Sequence, residues 1–204
     1  MSNRILLSSH YFPCIAYFSN LVKSPNVNID IGEFFIKQTY RNRCKIYTSN
    51  GPLGLSIPVI KKSKTPMNKV LIDAKEDWKT NHWRAISSAY NSSPFFEFYC
   101  DQLKKVLYKK HLGLTDLNRA LLIHICDELG IPISFKTSDG YITSKDSDLD
   151  LRSAIHPKKK IKGSDTYPRY IQIFEAKHGF QRNLSILDLL FHEGPESLNY
   201  LSNL

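Results

Sequence analysis

The chain lacks the features that mark membrane-spanning, secreted and disulfide-bonded proteins. Its 204 residues contain no run of about 18 apolar side chains, so no membrane-spanning helix is expected. The first residues, MSNRILLSSHYFPC, have no small-residue cleavage site, so no signal peptide is expected. The four cysteines, Cys14, Cys44, Cys100 and Cys126, form no CxxC pair and are predicted to be reduced, mostly buried thiols. Together these absences predict a cytoplasmic protein.

Motifs of several enzyme classes are also missing. HEGPES, which starts at His192, lacks the second His of HExxH, and the seven His residues fall at no ligand spacing, so no metal site is predicted. There is no P-loop, no GxGxxG and no GxSxG, and nothing predicts a bound cofactor. No period of roughly 20 to 50 residues recurs, which argues against a solenoid.

The composition is that of a basic globular protein. Hydrophobic residues make up 42% and aromatic residues 12% of the chain, enough for one substantial core. Lys and Arg number 28 against 19 Asp and Glu, which gives a net charge of +9. This balance favours an anionic partner such as a phosphorylated metabolite, a nucleic acid or an acidic membrane surface. The alternative is a basic surface that only faces water.

The pattern of apolar residues predicts one α/β domain over residues 1–204, with helices packed on a mixed sheet. Sheet is expected mainly in the N-terminal third, and the predicted strands lie within 4–9, 27–75, 132–137 and 169–175. Asn50-Gly51 predicts a hairpin turn, and apolar spacing predicts a helix over 76–90. Residues 138–167 are polar and Lys-rich, and we predict a surface excursion that is either functional or disordered.

FIKQTYRNRCK, residues 35–45, is predicted to be a cationic strand. Alternation would place Lys37, Arg41 and Arg43 on one face, with Tyr40 and Asn42 on the other. Converging Arg and Lys side chains on a rigid element are typical of phosphate or carboxylate recognition. The alternative is an open sheet face whose charges are solvated.

Three polar residues fall on predicted buried helix faces and are therefore candidate site residues. His82 lies among aromatic side chains and is a candidate general base, or else a satisfied core histidine. Asn118 interrupts an apolar stripe, and Asp188 interrupts LSILDLLF. Because a lone buried carboxylate is costly, Asp188 is predicted to pair with Arg41 or Arg43, either as a structural ion pair or as support for a ligand site.

A series of segments resembles the WbqC-like family, in the same order and over nearly the whole chain. The segments are HYFPCIAYFSNL, EFFIKQTYRNRCKI, NGPLGLSIPV, WKTNHWRAISSAYNSSPFFEFY, LTDLNRALL and LSILDLLFHEGP. The resemblance is strongest to the short version found in Bacteroidetes. Two features depart from the family pattern: Cys14 stands where Trp or Pro is usual, which argues against a cysteine nucleophile, and the Lys-rich segment replaces a longer one.

The resemblance implies a bacterial protein of O-antigen or other surface-polysaccharide (lipopolysaccharide-type) biosynthesis. One hypothesis is a transferase that moves an acyl or aminoacyl group to an amino sugar of a nucleotide-activated precursor. Its partner would then be an anionic small molecule, a nucleotide-sugar or an acyl donor. The residues assigned to such a site are His82 and Asp188 as catalytic, and Tyr17, Lys37, Tyr40, Arg41, Asn42, Arg43, Trp83 and Asn118 as substrate-binding.

Two alternatives belong to other classes. The first is a nucleic-acid-binding module that uses the basic strand and the loop 156–162; the absence of a known reader motif argues against it. The second is a non-catalytic scaffold of a glycan assembly complex.

Overall fold

Short strands and longer helices alternate along the chain. The computed structural model describes residues 4–132, 134–145, 148–161 and 163–204. The strands are β1 (Ile5–Ser8), β2 (Val27–Asp30), β3 (Arg43–Thr48), β4 (Gly51–Ser56), β5 (Val59–Ile60), β6 (Leu71–Ile72), β7 (Lys136–Thr137) and β8 (Leu149–Asp150). The helices are α1 (Ile15–Lys23), α2 (Trp78–Tyr90), α3 (Phe96–Tyr108), α4 (Leu114–Glu128), α5 (Glu175–His178), α6 (Ile186–Glu193) and α7 (Ser197–Ser202).

A parallel sheet organises one end of the fold. Its strands lie in the order β7-β2-β1-β8, and β1 pairs in parallel with both β2 and β8. All four residues of β1 are buried, because the strand is central and carries only apolar residues before Ser8. Helix α1 provides the crossover from β1 to β2, as parallel pairing requires. The carboxyl ends of these strands therefore meet at one edge of the sheet.

Two smaller ladders are antiparallel. Strands β3 and β4 form a hairpin in which Thr48 faces Gly51, and Gly51 has a φ of +97°, which a residue with a Cβ rarely adopts. The predicted turn at Asn50-Gly51 is thus confirmed. Strands β5 and β6 form a second short pair.

The helices bury their apolar faces in one continuous core. The predicted face of α2 is confirmed, since Trp78, Ile86 and Tyr90 are all buried. Helix α6 is the most enclosed element, with every residue from Ile186 to His192 buried. Its first turn is capped by Ser185, whose hydroxyl accepts a hydrogen bond from the Leu187 amide. The predicted class, a single α/β domain, is confirmed, and its strands lie mainly in the N-terminal half.

Two of the predicted strands are wrong. Residues 35–42 are irregular, and strand geometry begins only at Arg43. Residues 169–175 also form no strand: this stretch is irregular until the one-turn helix Glu175–His178. In both places the alternation of side chains in the sequence reflects the contacts of a folded loop and not strand geometry. In the predicted strand 132–137, only Lys136–Thr137 is a strand, and residue 133 lies outside the described residues.

The segment 138–167 is anchored to the sheet at several points. It supplies β8, and its Ile155 is buried in the core. Arg152 is buried as well and forms ion pairs with Asp30, at the end of β2, and with Asp150. Residues 146–147 and 162 of this segment lie outside the described residues. Its assignment as a surface excursion within the single domain stays a prediction.

In the described part of the chain, no helix has the length and apolar character needed to cross a membrane.

At Gly32, the loop after β2 comes very close to the backbone of the segment 138–167. A Cβ at Gly32 would lie far inside van der Waals contact with the backbone of Gly140 and Tyr141. Because backbone cannot move aside as a flexible side chain can, we expect Gly32→Ala to lower the free energy of unfolding by about 1–3 kcal/mol. Urea denaturation would measure this.

Gly54→Ala is the matched control for that measurement. A Cβ at Gly54 meets no described atom within 4 Å, and the residue has no positive φ. Equal stability losses in the two variants would contradict the assignment of the Gly32 effect to crowding.

Candidate functional site

An open, cation-lined depression lies beside the first residues of the β3–β4 hairpin. Lys37, Arg43 and Lys61 line it together with Asn42, and its volume is about 320 Å³. The other lining residues are Phe35, Gln38, Ser56, Ile57, Pro58 and Val59. None of the lining residues is acidic. We call this feature the cationic depression.

The irregular stretch before β3 gives the depression its shape. Gln38 adopts a φ of +59°, and the Thr39 hydroxyl donates a hydrogen bond to the Ile36 carbonyl at 2.7 Å. This tight turn leaves Lys37 and Gln38 exposed while it buries Thr39. Strained backbone at a non-glycine residue persists only where its surroundings impose it, and it is common at ligand sites.

Asn42 connects the wall of the depression to the residue that follows β4. Its side-chain amide donates to the Ile57 carbonyl at 2.8 Å, and the Ile57 amide donates to the Asn42 carbonyl at 2.8 Å. The amide oxygen, Oδ1, is buried and has no hydrogen-bond partner within the described residues. A donor group of a ligand could therefore bind there.

A fourth cation reaches the depression from the Lys-rich segment. Lys158 Nζ donates a hydrogen bond to Gln38 Oε1 at 2.6 Å, although the two residues are far apart in sequence. Lys61 lies over the ring of Phe35, with Nζ 5.5 Å from the ring centroid. Among the described residues, no carboxylate lies within 4.0 Å of the side-chain nitrogens of Lys37, Arg43, Lys61 or Lys158. Their charges remain available to an anion.

Arg41 does not belong to this group, so the predicted cationic strand face is wrong. The Arg41 guanidinium is buried and makes a bidentate pair with Glu33, with Nε–Oε1 and Nη2–Oε2 distances of 2.9 and 2.6 Å. Nη2 also donates to Ser8 Oγ at 3.0 Å. Because the chain is not extended here, Arg41 turns inward while Lys37 and Arg43 face solvent. Its charge is balanced inside the protein.

Asp188 also has different partners from those predicted. The pair with Arg41 or Arg43 is wrong, because the Asp188 carboxylate accepts hydrogen bonds from uncharged donors. These are Tyr90 Oη at 3.0 Å, Tyr170 Oη at 2.5 Å and Gln172 Nε2 at 2.8 Å. Burial raises the pKa of Asp188, and the neighbouring His192 and the three donors offset part of that rise. This geometry is that of a structural network, and a catalytic role for Asp188 stays a prediction.

Removal of the Asp188 carboxylate should test the structural role of this network. We expect Asp188→Ala to lower the free energy of unfolding by about 3 kcal/mol or more, since each buried donor left without a partner costs about 1–3 kcal/mol. Chemical denaturation would measure the loss. Asp127→Ala, an exposed carboxylate on α4, is the control and should change stability by less than about 0.5 kcal/mol. Similar losses for both would contradict the role of the network.

His82 does not line the cationic depression, although its ring bonds the backbone of Ser56, which does. Its ring is 5% exposed, packs edge-on against Trp78, and shares a 2.9 Å hydrogen bond with the Tyr11 hydroxyl through Nδ1. Burial lowers the pKa of His82 to about 4, and a hydrogen bond to the backbone of Ser56 offsets part of the effect. His82 is therefore neutral at pH 7 and can accept a proton as a weak base. Its role as a general base stays a prediction.

The depressed pKa of His82 predicts acid sensitivity. In the unfolded chain a His takes up its proton near pH 6.5, whereas folded His82 stays neutral down to about pH 4. The unfolded state therefore binds more protons in this interval, and the folded state loses up to about 3 kcal/mol as the pH falls through it.

We expect the stability advantage of the parent over His82→Gln to shrink between pH 7 and pH 4. Urea denaturation at a series of pH values would measure it, with His111→Gln, in the loop between α3 and α4, as the control. An advantage that does not vary with pH would contradict the assignment.

The remaining predicted residues lie elsewhere. Trp83 stacks on Phe96 between α2 and α3, with Lys104 over its ring. Tyr17 and Asn118 line a separate cavity at the carboxyl edge of the parallel sheet. Tyr40 is buried beside that cavity. The predicted substrate-binding residues are thus divided, with only Lys37, Asn42 and Arg43 in the cationic depression.

The prediction from sequence missed Lys61 and His10, and it included Lys158 only as part of the basic loop 156–162. Lys61 opens the run KKSK, and Lys158 lies in the run HPKKK, so charge runs were the available signal for both. For His10, which lines the separate cavity, the only signal was a polar residue directly after a buried strand. No group of three or more His, Cys, Asp or Glu in the described ranges could hold a metal ion.

Comparisons with known proteins place this α/β protein in a family. Residues 8–164 match the model of the WbqC-like protein family, and the chain belongs to that family. It is also similar to the uncharacterized protein Rv1507c of Mycobacterium tuberculosis, at 28% identity over 230 aligned positions that cover 98% of each chain. No solved structure matches. Family membership suggests involvement in polysaccharide biosynthesis, and neither match specifies a reaction.

Proposed function

We propose that this protein acts in surface-polysaccharide biosynthesis and binds the phosphates of a nucleotide-activated precursor in the cationic depression. One observation carries the proposal: Lys37, Arg43 and Lys61 converge on one open space that no acidic residue lines. The proposal agrees with the family's suggested involvement in polysaccharide biosynthesis.

The chemistry of the lining suits a diphosphate. Arg43 can bind phosphate oxygens with two parallel hydrogen bonds, and the lysines add charge with less demanding geometry. Lys158, at the side chain of Gln38, extends the positive charge from a second part of the chain. Asn42 Oδ1 supplies one acceptor, which a hydroxyl or amine next to the phosphates can satisfy. An anion fits this arrangement if its oxygen atoms accept hydrogen bonds and a hydrogen-bond donor lies next to them.

The finer hypothesis is transfer of an acyl or aminoacyl group to an amino sugar. The amine nitrogen of the sugar attacks the carbonyl carbon of the donor, the new C–N bond forms, and the bond to the leaving group breaks with its electron pair. The amine must lose a proton, for which His82 is the candidate acceptor because it is neutral at pH 7 and contacts the Ser56 backbone beside the depression.

Binding measurements with a nucleotide-sugar test the proposal. UDP-N-acetylglucosamine and UDP should bind the parent protein, and both Lys37→Ala and Arg43→Ala should weaken binding by about tenfold, the effect of one charge-assisted contact. Isothermal titration calorimetry would measure it. Lys105→Ala, an exposed lysine on α3 outside the depression, should leave the affinity unchanged.

The other possible outcomes either contradict the phosphate site or point to a different class of protein. If neither ligand binds, or if the lysine and arginine variants bind as the parent does, the phosphate site is wrong. If a DNA or RNA oligonucleotide binds instead, with an affinity that falls steeply with salt, the protein is a nucleic-acid-binding module. A stable protein partner without any nucleotide binding would identify a scaffold.

A further inference from the structure

A second, smaller cavity opens at the carboxyl edge of the parallel sheet. Its floor includes the buried His10, Tyr17 and Asn118, and its rim carries the exposed Asp116 and Arg119. This edge is where parallel α/β sheets commonly bind ligands, because the chain leaves each strand there. We call it the carboxyl-edge cavity.

Two buried side chains in the floor have polar atoms without partners. Within the described residues, neither ring nitrogen of His10 makes a hydrogen bond, although the residue is only 3% exposed. Asn118 is 2% exposed, and its Oδ1 also lacks a partner. Such atoms are rare in folded proteins, since each costs about 1–3 kcal/mol, and three of them at one cavity indicate a role other than stability.

The orientation of both side chains is set by their neighbours. Asn118 Nδ2 donates to the Arg41 carbonyl at 2.9 Å and to Ser9 Oγ at 3.2 Å. Because a carbonyl oxygen can only accept, the amide nitrogen must face Arg41, and Oδ1 is the atom left for a ligand. The His10 ring is held between Tyr17 and Tyr40, with centroid distances of 5.0 and 5.6 Å.

Strained backbone lies two residues after His10, at Phe12. Phe12 adopts a φ of +39° and is fully buried, and its carbonyl accepts a hydrogen bond from Ser185 Oγ at 3.1 Å. A bulky residue in this conformation is a genuine outlier, and such outliers concentrate at functional sites. The turn 9–13 therefore keeps His10 in place at a conformational cost.

We propose that the carboxyl-edge cavity binds the hydroxyl-bearing edge of a small neutral molecule, such as a pyranose sugar, through His10 and Asn118. A sugar hydroxyl is both donor and acceptor, so adjacent hydroxyls can donate to Asn118 Oδ1 and bond both nitrogens of a neutral imidazole. Burial and the nearby charges of Arg41 and His156 hold the pKa of His10 well below its usual range, which keeps the ring neutral.

The size and charge of the cavity favour this class of ligand. About 50 Å³ is available to the centre of a water molecule, several times the roughly 10–15 Å³ that one water needs, so the cavity holds an edge of a ring. The rim carries one acidic and one basic residue, and the floor carries no net charge. The only cation among the described lining residues, Arg119, lies on the exposed rim, so a phosphate would find none in the floor.

This inference goes beyond the proposed function, because it requires no phosphate and uses none of the residues of the cationic depression. An experiment can therefore contradict the inference without contradicting the proposed function, and the reverse also holds.

NMR titration of the intact protein tests the inference. N-acetyl-D-glucosamine and D-glucose are the probes, and inorganic phosphate is the charged contrast. At least one sugar should shift the His10 ring ¹⁵N resonances with saturation, and phosphate should not. His10→Phe keeps the ring packing and removes both nitrogens, so it should weaken sugar binding by at least tenfold.

His10→Phe also separates a binding role from a structural one. The variant should unfold at a temperature equal to or above that of the parent, because it removes buried polar atoms that have no partner. Its affinity for UDP should not change. His111→Phe, in the loop between α3 and α4, is the matched control and should bind sugar as the parent does.

Two results would overturn the inference. One is that neither sugar perturbs His10 in the parent. The other is that His10→Phe binds sugar as tightly as the parent, which would place the ligand elsewhere.

Discussion

The buried guanidinium of Arg41 is the interaction on which the carboxyl edge of the sheet depends. It pairs with Glu33 on one side and reaches Ser8 at the end of β1 on the other, while its own carbonyl accepts from Asn118 on α4. Through these contacts, one buried ion pair joins the loop after β2 to the central strand β1 and to helix α4. Removing either charge alone would leave the other unpaired in the core, which is strongly destabilising.

The interactions of Arg41 separate two polar spaces that adjoin the loop after β2, namely the carboxyl-edge cavity and the cationic depression. On the inner side, Asn118 is held in the orientation that presents Oδ1 to the carboxyl-edge cavity. On the outer side, the loop turns Lys37 and Arg43 toward solvent at the cationic depression. A single short segment thus connects a neutral, enclosed space with a charged, open one. A ligand that has both a sugar and a diphosphate contains the two chemistries that these spaces would recognise.

Two other buried polar groups, Asp30 and Asp188, have several partners within the protein, which distinguishes them from His10. Asp30 accepts from the amides of Gly32, Glu33 and Ile142 and also pairs with Arg152. Asp188 is surrounded by three donors in the same way. Groups with all their partners in the protein stabilise one packing of the core and have little capacity left for a ligand. By contrast, His10 and Asn118 Oδ1 retain that capacity within the described residues.

Local patterns in the sequence determined two features by themselves. The turn at Asn50-Gly51 and the buried face of α2 follow from neighbouring residues, because turn geometry and helical spacing act over a few positions. The sequence of motifs was also enough to indicate the family.

Only the tertiary structure decided which charged groups are free. Arg41 and Arg43 are two positions apart and similar in sequence context, yet one is paired with Glu33 and the other faces solvent. Lys158 reaches Gln38 from 120 positions away, and Asp188 meets Tyr90 from 98 positions away. The state of a charge depends on the partners that the fold brings within a few ångströms, and that distance is independent of separation along the chain.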